Sequence, residues 1–146
     1  MNQAIKDFTQ CKRLAVVGVS RTDGKFGNRA YRELKQRGYD VVPIHPEMGS
    51  FDGDPCYPSF EALPAPVEGA LISLPPAHVP GVIRQASQAD VHNVWLQQGA
   101  ESPEAVQLGQ ELGLNVAHGG CILMYAEPVS GFHAFHGLVW KLIGKY

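Results

Sequence analysis

Short, wholly apolar runs alternate along this chain with segments of helical period. Residues 13–19 read Arg-Leu-Ala-Val-Val-Gly-Val. That run is too continuous for a half-exposed strand and too short for a helix, so it predicts a strand buried on both faces. Residues 28–37 follow with Ala30, Tyr31 and Leu34 on one side and Gly38 as a stop. Further strands are predicted at 40–44, 69–74, 91–96 and 114–117. Val79, Val82, Ile83 and Ala86 recur at i, i+3, i+4 and i+7, with Pro80 in the first turn. Ser102-Pro103-Glu104 gives an N-cap, an N1 proline and an early acid, opening a helix that Gly113 closes.

Strands of this kind joined by helices imply parallel pairing and right-handed crossovers. The expected fold is α/β: a single Rossmann-like domain, residues 1–130, with a mostly parallel five-stranded sheet and helices on both faces. Residues 131–146 are expected to form a C-terminal helical tail, with Phe132, Phe135, Val139, Leu142 and Ile143 on one face, packing on the domain or on a partner. Residues 47–66, rich in Gly, Asp and Pro, are expected to be irregular apart from a turn of helix near 59–63. At 146 residues and 45% hydrophobic composition, one domain can form its core without a metal or disulfide staple. Cys11, Cys56 and Cys121 are odd in number and widely spaced, which fits neither a disulfide scaffold nor a zinc ribbon. No apolar run reaches the ~18 residues of a membrane span, so a cytoplasmic protein without membrane contact is expected.

The net charge of −2 hides an asymmetry. Residues 1–37 carry nine Lys/Arg against three Asp/Glu, a net +6, and the remainder carries −8. Nucleic-acid binders are more often basic throughout, with aromatics interleaved, so no nucleic acid is expected. A basic end on an acidic body suits a small anionic ligand, although a solvated helix face would read the same way.

Ligands of open α/β sheets bind beyond the carboxyl ends of the strands. The candidate contacts are therefore Gly18, Val19, Ser20, Arg21, Thr22, Lys25, Phe26 and Asn28 after the first strand, and His45 and Pro46 after the second. Leu74, Pro75, Pro76 and Val79 follow the third strand, Gln97, Gln98 and Gly99 the fourth, and Cys121 the fifth. The 18–27 loop combines glycines, hydroxyls, two cations and a helix N-terminus, a combination that receives anions. It is not a dinucleotide fingerprint, because Ser20 and Asp23 stand where its second and third glycines belong and His45-Pro46 replaces the ribose-binding acid. P-loop and nucleophile-elbow patterns are absent.

Val17-Gly18-Val19-Ser20, Asn28-Arg29, the 38–46 stretch Gly-Tyr-Asp-Val-Val-Pro-Ile-His-Pro, Cys56-Tyr57-Pro58-Ser59-Phe60, Leu74-Pro75-Pro76, the 94–99 stretch Val-Trp-Leu-Gln-Gln-Gly and Gly120-Cys121-Ile122 occur in this order. Together they resemble the CoA-binding protein family, small stand-alone relatives of the N-terminal CoA-binding domain of the succinyl-CoA synthetase α-subunit. The resemblance implies a coenzyme A or acyl-CoA site at the strand ends. Residues 20–23 would hold the phosphates, Leu74-Pro75-Pro76 would flank the adenine, and residues 96–98 would lie along the pantetheine arm. Ligation in the synthetases requires further domains for which this sequence leaves no room, so a non-catalytic binding role is expected.

No catalytic constellation emerges from the residues themselves. Cys121 is the one plausible nucleophile, with a buried structural thiol the blander reading. Cys11 and Cys56 read as structural, His133 and His136 as exposed helix residues, and Asp52 and Asp54 as turn residues around Gly53. Two other functions remain open on the same fold: an NAD(P)-dependent enzyme, and a protein–protein adaptor or homodimer using the C-terminal helix.

Overall fold

The computed structural model describes residues 3–128. Five parallel strands form the central sheet: β1 (Arg13–Val17), β2 (Asp40–Ile44), β5 (Gly69–Ile72), β6 (Asn93–Leu96) and β7 (Asn115–Ala117), in the order β2-β1-β5-β6-β7. The helices are α1 (Gln3–Thr9), α2 (Phe26–Gln36), α3 (Val79–Gln88) and α4 (Pro103–Glu111). Successive strand residues point to opposite faces, and both faces are covered. Leu14, Val16, Leu71 and Trp95 pack with Phe8 of α1 and Ala30, Tyr31 and Leu34 of α2. Ala15, Ala70, Ile72, Val94 and Leu96 pack with Val79, Ile83 and Ala86 of α3 and Ala105 of α4. The chain leaves β1 toward β2 on one side and later returns to add β5 on the other. The connections after β1 and β5 therefore diverge, opening a crevice between their carboxyl ends.

The boundaries differ from the expected ones for identifiable reasons. β1 ends at Val17 because Gly18 turns to φ +138°, and β5 ends at Ile72, where the chain passes through Ser73 to a 3₁₀ turn at Pro76–His78. Ser102 caps α4 as expected, its Oγ accepting the Ala105 N–H at 3.1 Å. Residues 59–63 make two successive tight turns rather than a helix. The predicted helix from Phe132 lies outside the described residues. α1 was not anticipated, since only Ile5 and Phe8 mark its buried face.

The other unanticipated element is a hairpin, β3 (Ser50–Phe51) and β4 (Asp54–Pro55). Asp52 and Gly53 both adopt positive φ, 52° and 82°, as a two-residue primed turn requires. Strands of two residues cannot stand alone, and tertiary contacts with α2 hold them. Arg32 grips Asp52 through Nε and Nη2 at 2.6 and 2.9 Å, and Lys35 reaches Asp54 at 2.6 Å. The Tyr31 hydroxyl also donates to Asp54, and its ring meets Phe51 edge-on at 5.2 Å. Arg13 pairs with Asp40 and Arg37 with Glu33. Four of the nine cations that make the first segment basic are thus structural.

The hydrogen bond from Arg32 holds Asp52 below the usual carboxylate range, and those from Lys35 and Tyr31 do the same for Asp54. A depressed folded pKa contributes stability that is complete above the unfolded value of about 3.9 and is lost as pH falls through the folded value. The expected result is that urea midpoints of the native chain drop more steeply on acidification below about pH 4 than those of an Asp52→Asn, Asp54→Asn double variant. Parallel curves would show that these carboxylates carry no such linkage.

Candidate functional site

The crevice is shaped by two glycines and an asparagine. A Cβ on Gly18 would lie 2.2 Å from the Ser73 carbonyl oxygen, so the ends of β1 and β5 meet only because no side chain intervenes. A Cβ on Gly27 would lie 2.2 Å from the Gly18 oxygen, so α2 enters directly against the turn after β1. Gly27 therefore performs the close helix–strand packing that the third fingerprint glycine performs in dinucleotide sites. The spacing concealed it, since the loop here is longer.

Asn28, 2% exposed, pins that loop from beneath. Its Oδ1 accepts the Ser20 N–H at 2.7 Å, and its Nδ2 donates to the Ser20 and Thr22 carbonyls at 2.9 and 3.2 Å. Ser20 Oγ in turn accepts the Thr22 N–H. The loop arrives at α2 with Lys25 as its N-cap residue, and both the Asn28 and Arg29 N–H groups bond to the Lys25 carbonyl. The Phe26 and Gly27 N–H groups have no acceptor among the described residues. Unmatched donors at a helix start carry partial positive charge.

A cavity of about 580 Å³ opens above these groups, within the range of small-molecule sites. Nine of the sequence-predicted residues line it: Gly18, Val19, Ser20, Lys25, Phe26, His45, Pro46, Leu74 and Pro75. His45 Nδ1 accepts the Glu47 N–H at 3.0 Å, which leaves its proton on Nε2 as a donor. Arg21 and Thr22 stand exposed on the loop, outside the lining, and Arg21 Nη2 donates to the Glu47 carbonyl across the mouth at 3.2 Å. Pro76 and Gln98 are exposed, Gly99 forms a turn at φ +90°, and Val79 is wholly buried in the core. Gln97, after β6, and Cys121, after β7, are not part of the cavity lining; Gln97 Oε1 accepts the N–H of Ile122, the residue next to Cys121, at 3.1 Å.

The sequence reading missed one wall. His78, Gly81, Val82 and Gln85 line the cavity from the start of α3. Their spacing is helical: Val82 belongs to the apolar stripe of α3, and His78, Gly81 and Gln85 lie beside it. Ser73, at the close approach to Gly18, and Pro58, brought in by the bridge between Ile44 and Tyr57, complete it. Among the described residues no cavity hydroxyl bonds to an imidazole, and no group of three or more His, Cys, Asp or Glu could hold a metal. Nor is any helix among them long and apolar enough to cross a membrane. The lining combines anion donors with apolar walls from Ile44, Leu74, Pro75 and Val82.

Comparison with known proteins bears directly on this cavity. Residues 12–127 match the model of the CoA binding domain, a span that holds every lining residue. The chain belongs to the CoA-binding domain family. It is 28% identical over 119 residues to the uncharacterized protein YneT of Bacillus subtilis, covering 81% of this chain and 88% of that one. A hypothetical protein from Pyrococcus horikoshii superposes with a TM-score of 0.79 at 26% identity, over 86% of this chain and 89% of the other. The family extends into enzymes. An ADP-forming acetate–CoA ligase of Archaeoglobus fulgidus is 28% identical over 129 residues, covering 82% of this chain but 19% of the ligase. The shared part is the domain described above, not the ligase as a whole.

Proposed function

We propose that this chain is a binding module for coenzyme A or an acyl-CoA, seated at the carboxyl ends of β1, β2 and β5. The observation that carries the reading is the cavity itself: the unmatched N–H groups of Phe26 and Gly27 beside Lys25, together with apolar walls, all within the family's matched span. The residues fit the ligand's chemistry. A pyrophosphate would take the helix N-terminus, where glycines leave the backbone open to close approach. The adenine would lie against Leu74 and Pro75, and the pantetheine arm would run over β6 toward Gln97. Coenzyme A carries a ribose 3′-phosphate that NAD lacks, and Lys25 with Arg21 supplies the charge for it. The module is read as binding the coenzyme without ligation or acyl transfer, since no nucleophile–base pair among the described residues faces the cavity.

Calorimetric titration of coenzyme A, dephospho-CoA and NAD tests this. Coenzyme A should bind, dephospho-CoA more weakly, and NAD not measurably. The Arg21→Ala, Lys25→Ala double variant should lose roughly tenfold in affinity, about 1.4 kcal/mol, for coenzyme A and less for dephospho-CoA. Equal losses would remove these two charges from the 3′-phosphate. No binding of coenzyme A by the native chain would overturn the reading.

A further inference from the structure

We propose that Cys121 is a thiol–disulfide exchange site that captures the thiol end of the bound coenzyme as a mixed disulfide. The proposal rests on the coenzyme A reading above. Of the three free cysteines, Cys11 and Cys56 are buried and Cys121 is partly exposed. Burial, with Glu68 and Asp7 adding to it, pushes the Cys11 thiol up to about 12, and burial also raises Cys56. Both are buried, and their raised pKa values disfavour the thiolate, which is the attacking species.

Two observations tie Cys121 to a ligand. The first is position. Ser73 lines the cavity, and the preceding residue, Ile72, accepts the Gln97 N–H at 3.0 Å. The Gln97 side chain then reaches the Ile122 N–H, next to Cys121. With strands about 4.8 Å apart, Cys121 stands roughly two strand spacings, ~10 Å, from the cavity wall. An extended pantetheine arm spans that distance. The second is an unmet donor. Gln97 is 3% exposed, and its Nε2 has no partner among the described residues. A buried amide donor left unpaired costs about 1–3 kcal/mol. The amide and thioester oxygens near the end of the pantetheine arm are acceptors of the kind this donor lacks.

The step balances without a separate oxidant. The Cys121 thiolate attacks one sulfur of a coenzyme A disulfide, a new S–S bond forms, and the coenzyme's S–S bond breaks. The second coenzyme leaves as a thiolate and takes up the proton that Cys121 released.

The full chain, reduced and desalted, is incubated with coenzyme A disulfide or with glutathione disulfide, then followed by intact mass and by peptide mapping. Adduction of one coenzyme A moiety per chain, on the Cys121 peptide, is expected at least about tenfold faster than adduction of glutathione, because nucleotide binding raises the local disulfide concentration. Free reduced coenzyme A should slow it, and Cys121→Ser should abolish it. Label on Cys11 or Cys56, or equal rates for both disulfides, overturns the proposal. Calorimetry under reductant separates the two failures. Coenzyme A binding with equal rates leaves the function standing without Cys121, whereas no binding removes both. Mapping of the native chain needs no variant to fold.

Discussion

Gly27→Ala should lower the melting temperature by roughly 6–12 °C and abolish the coenzyme A binding proposed above. The added methyl would lie 2.2 Å from the Gly18 oxygen and 2.6 Å from its carbon, both backbone atoms that no rotamer change can move. Either α2 withdraws or the turn after β1 does, at a cost of about 3 kcal/mol, the upper end of overpacking effects. For a domain of this size each kcal/mol shifts the midpoint by about 2–4 °C. The displaced groups carry the N–H donors that the proposed function assigns to the ligand, so affinity should fall with stability. Gly81→Ala provides the contrast. It lies within α3, with nothing within 4 Å of the added methyl, and helix propensity alone should stabilise it by a few tenths to about 1 kcal/mol. If the two variants melt alike, the close approach of α2 is not what shapes the loop.

Asn28→Asp changes one atom and should cost about 3 kcal/mol at neutral pH. Both Nδ2 hydrogen bonds go to carbonyl oxygens, of Ser20 and Thr22. A carboxylate there would set a third negative oxygen against them in a site 2% exposed. An uncompensated buried charge is among the largest single-site penalties. The sign of its pH dependence is opposite to that of the hairpin carboxylates. Burial and the facing carbonyls raise the new carboxyl's folded pKa, so the penalty is absent while it is protonated. It appears as pH rises past the unfolded value near 3.9 and grows until the folded pKa is reached. Urea melts should therefore place the variant closer to the native chain near pH 4 than at pH 7. A deficit independent of pH would show that Asn28 does not hold the loop through its amide donors. Neutral Asn28→Ala should cost less, about 1–3 kcal/mol, and still weaken coenzyme A, because Ser20 loses its anchor.

These two residues also mark where sequence reasoning reached and where it stopped. Asn28 is legible in the sequence as part of the loop, where its position alone suggests a ligand contact. Its burial and three hydrogen bonds, with both partners six to eight residues upstream, make it a positioning residue. Gly27 was legible as a glycine in a glycine-rich loop, yet its specific duty depends on where Gly18 comes to rest. Of the basic segment, Arg13, Arg32, Lys35 and Arg37 are drawn into ion pairs with Asp40, Asp52, Asp54 and Glu33, and Lys25 alone of the nine lines the cavity. Counting charges could not separate these roles, because three of the four pairs join residues far apart in the chain.

The strand-length apolar runs and the i, i+3, i+4 stripes by themselves determined a parallel α/β sheet and which residues form its core. Those patterns are local, and burial of an apolar face has few geometric solutions. The caps and stops at Ser102, Gly38 and Gly113 were local too, since they act within a turn of the residues they serve. The hairpin on α2, the α3 wall of the cavity and the pairing of Gln97 with the Cys121 segment were decided by tertiary structure alone. Each depends on contacts between segments whose proximity exists only after the sheet has formed. Periodicity records which face a residue buries, whereas a site is defined by which neighbours the finished fold brings to that face.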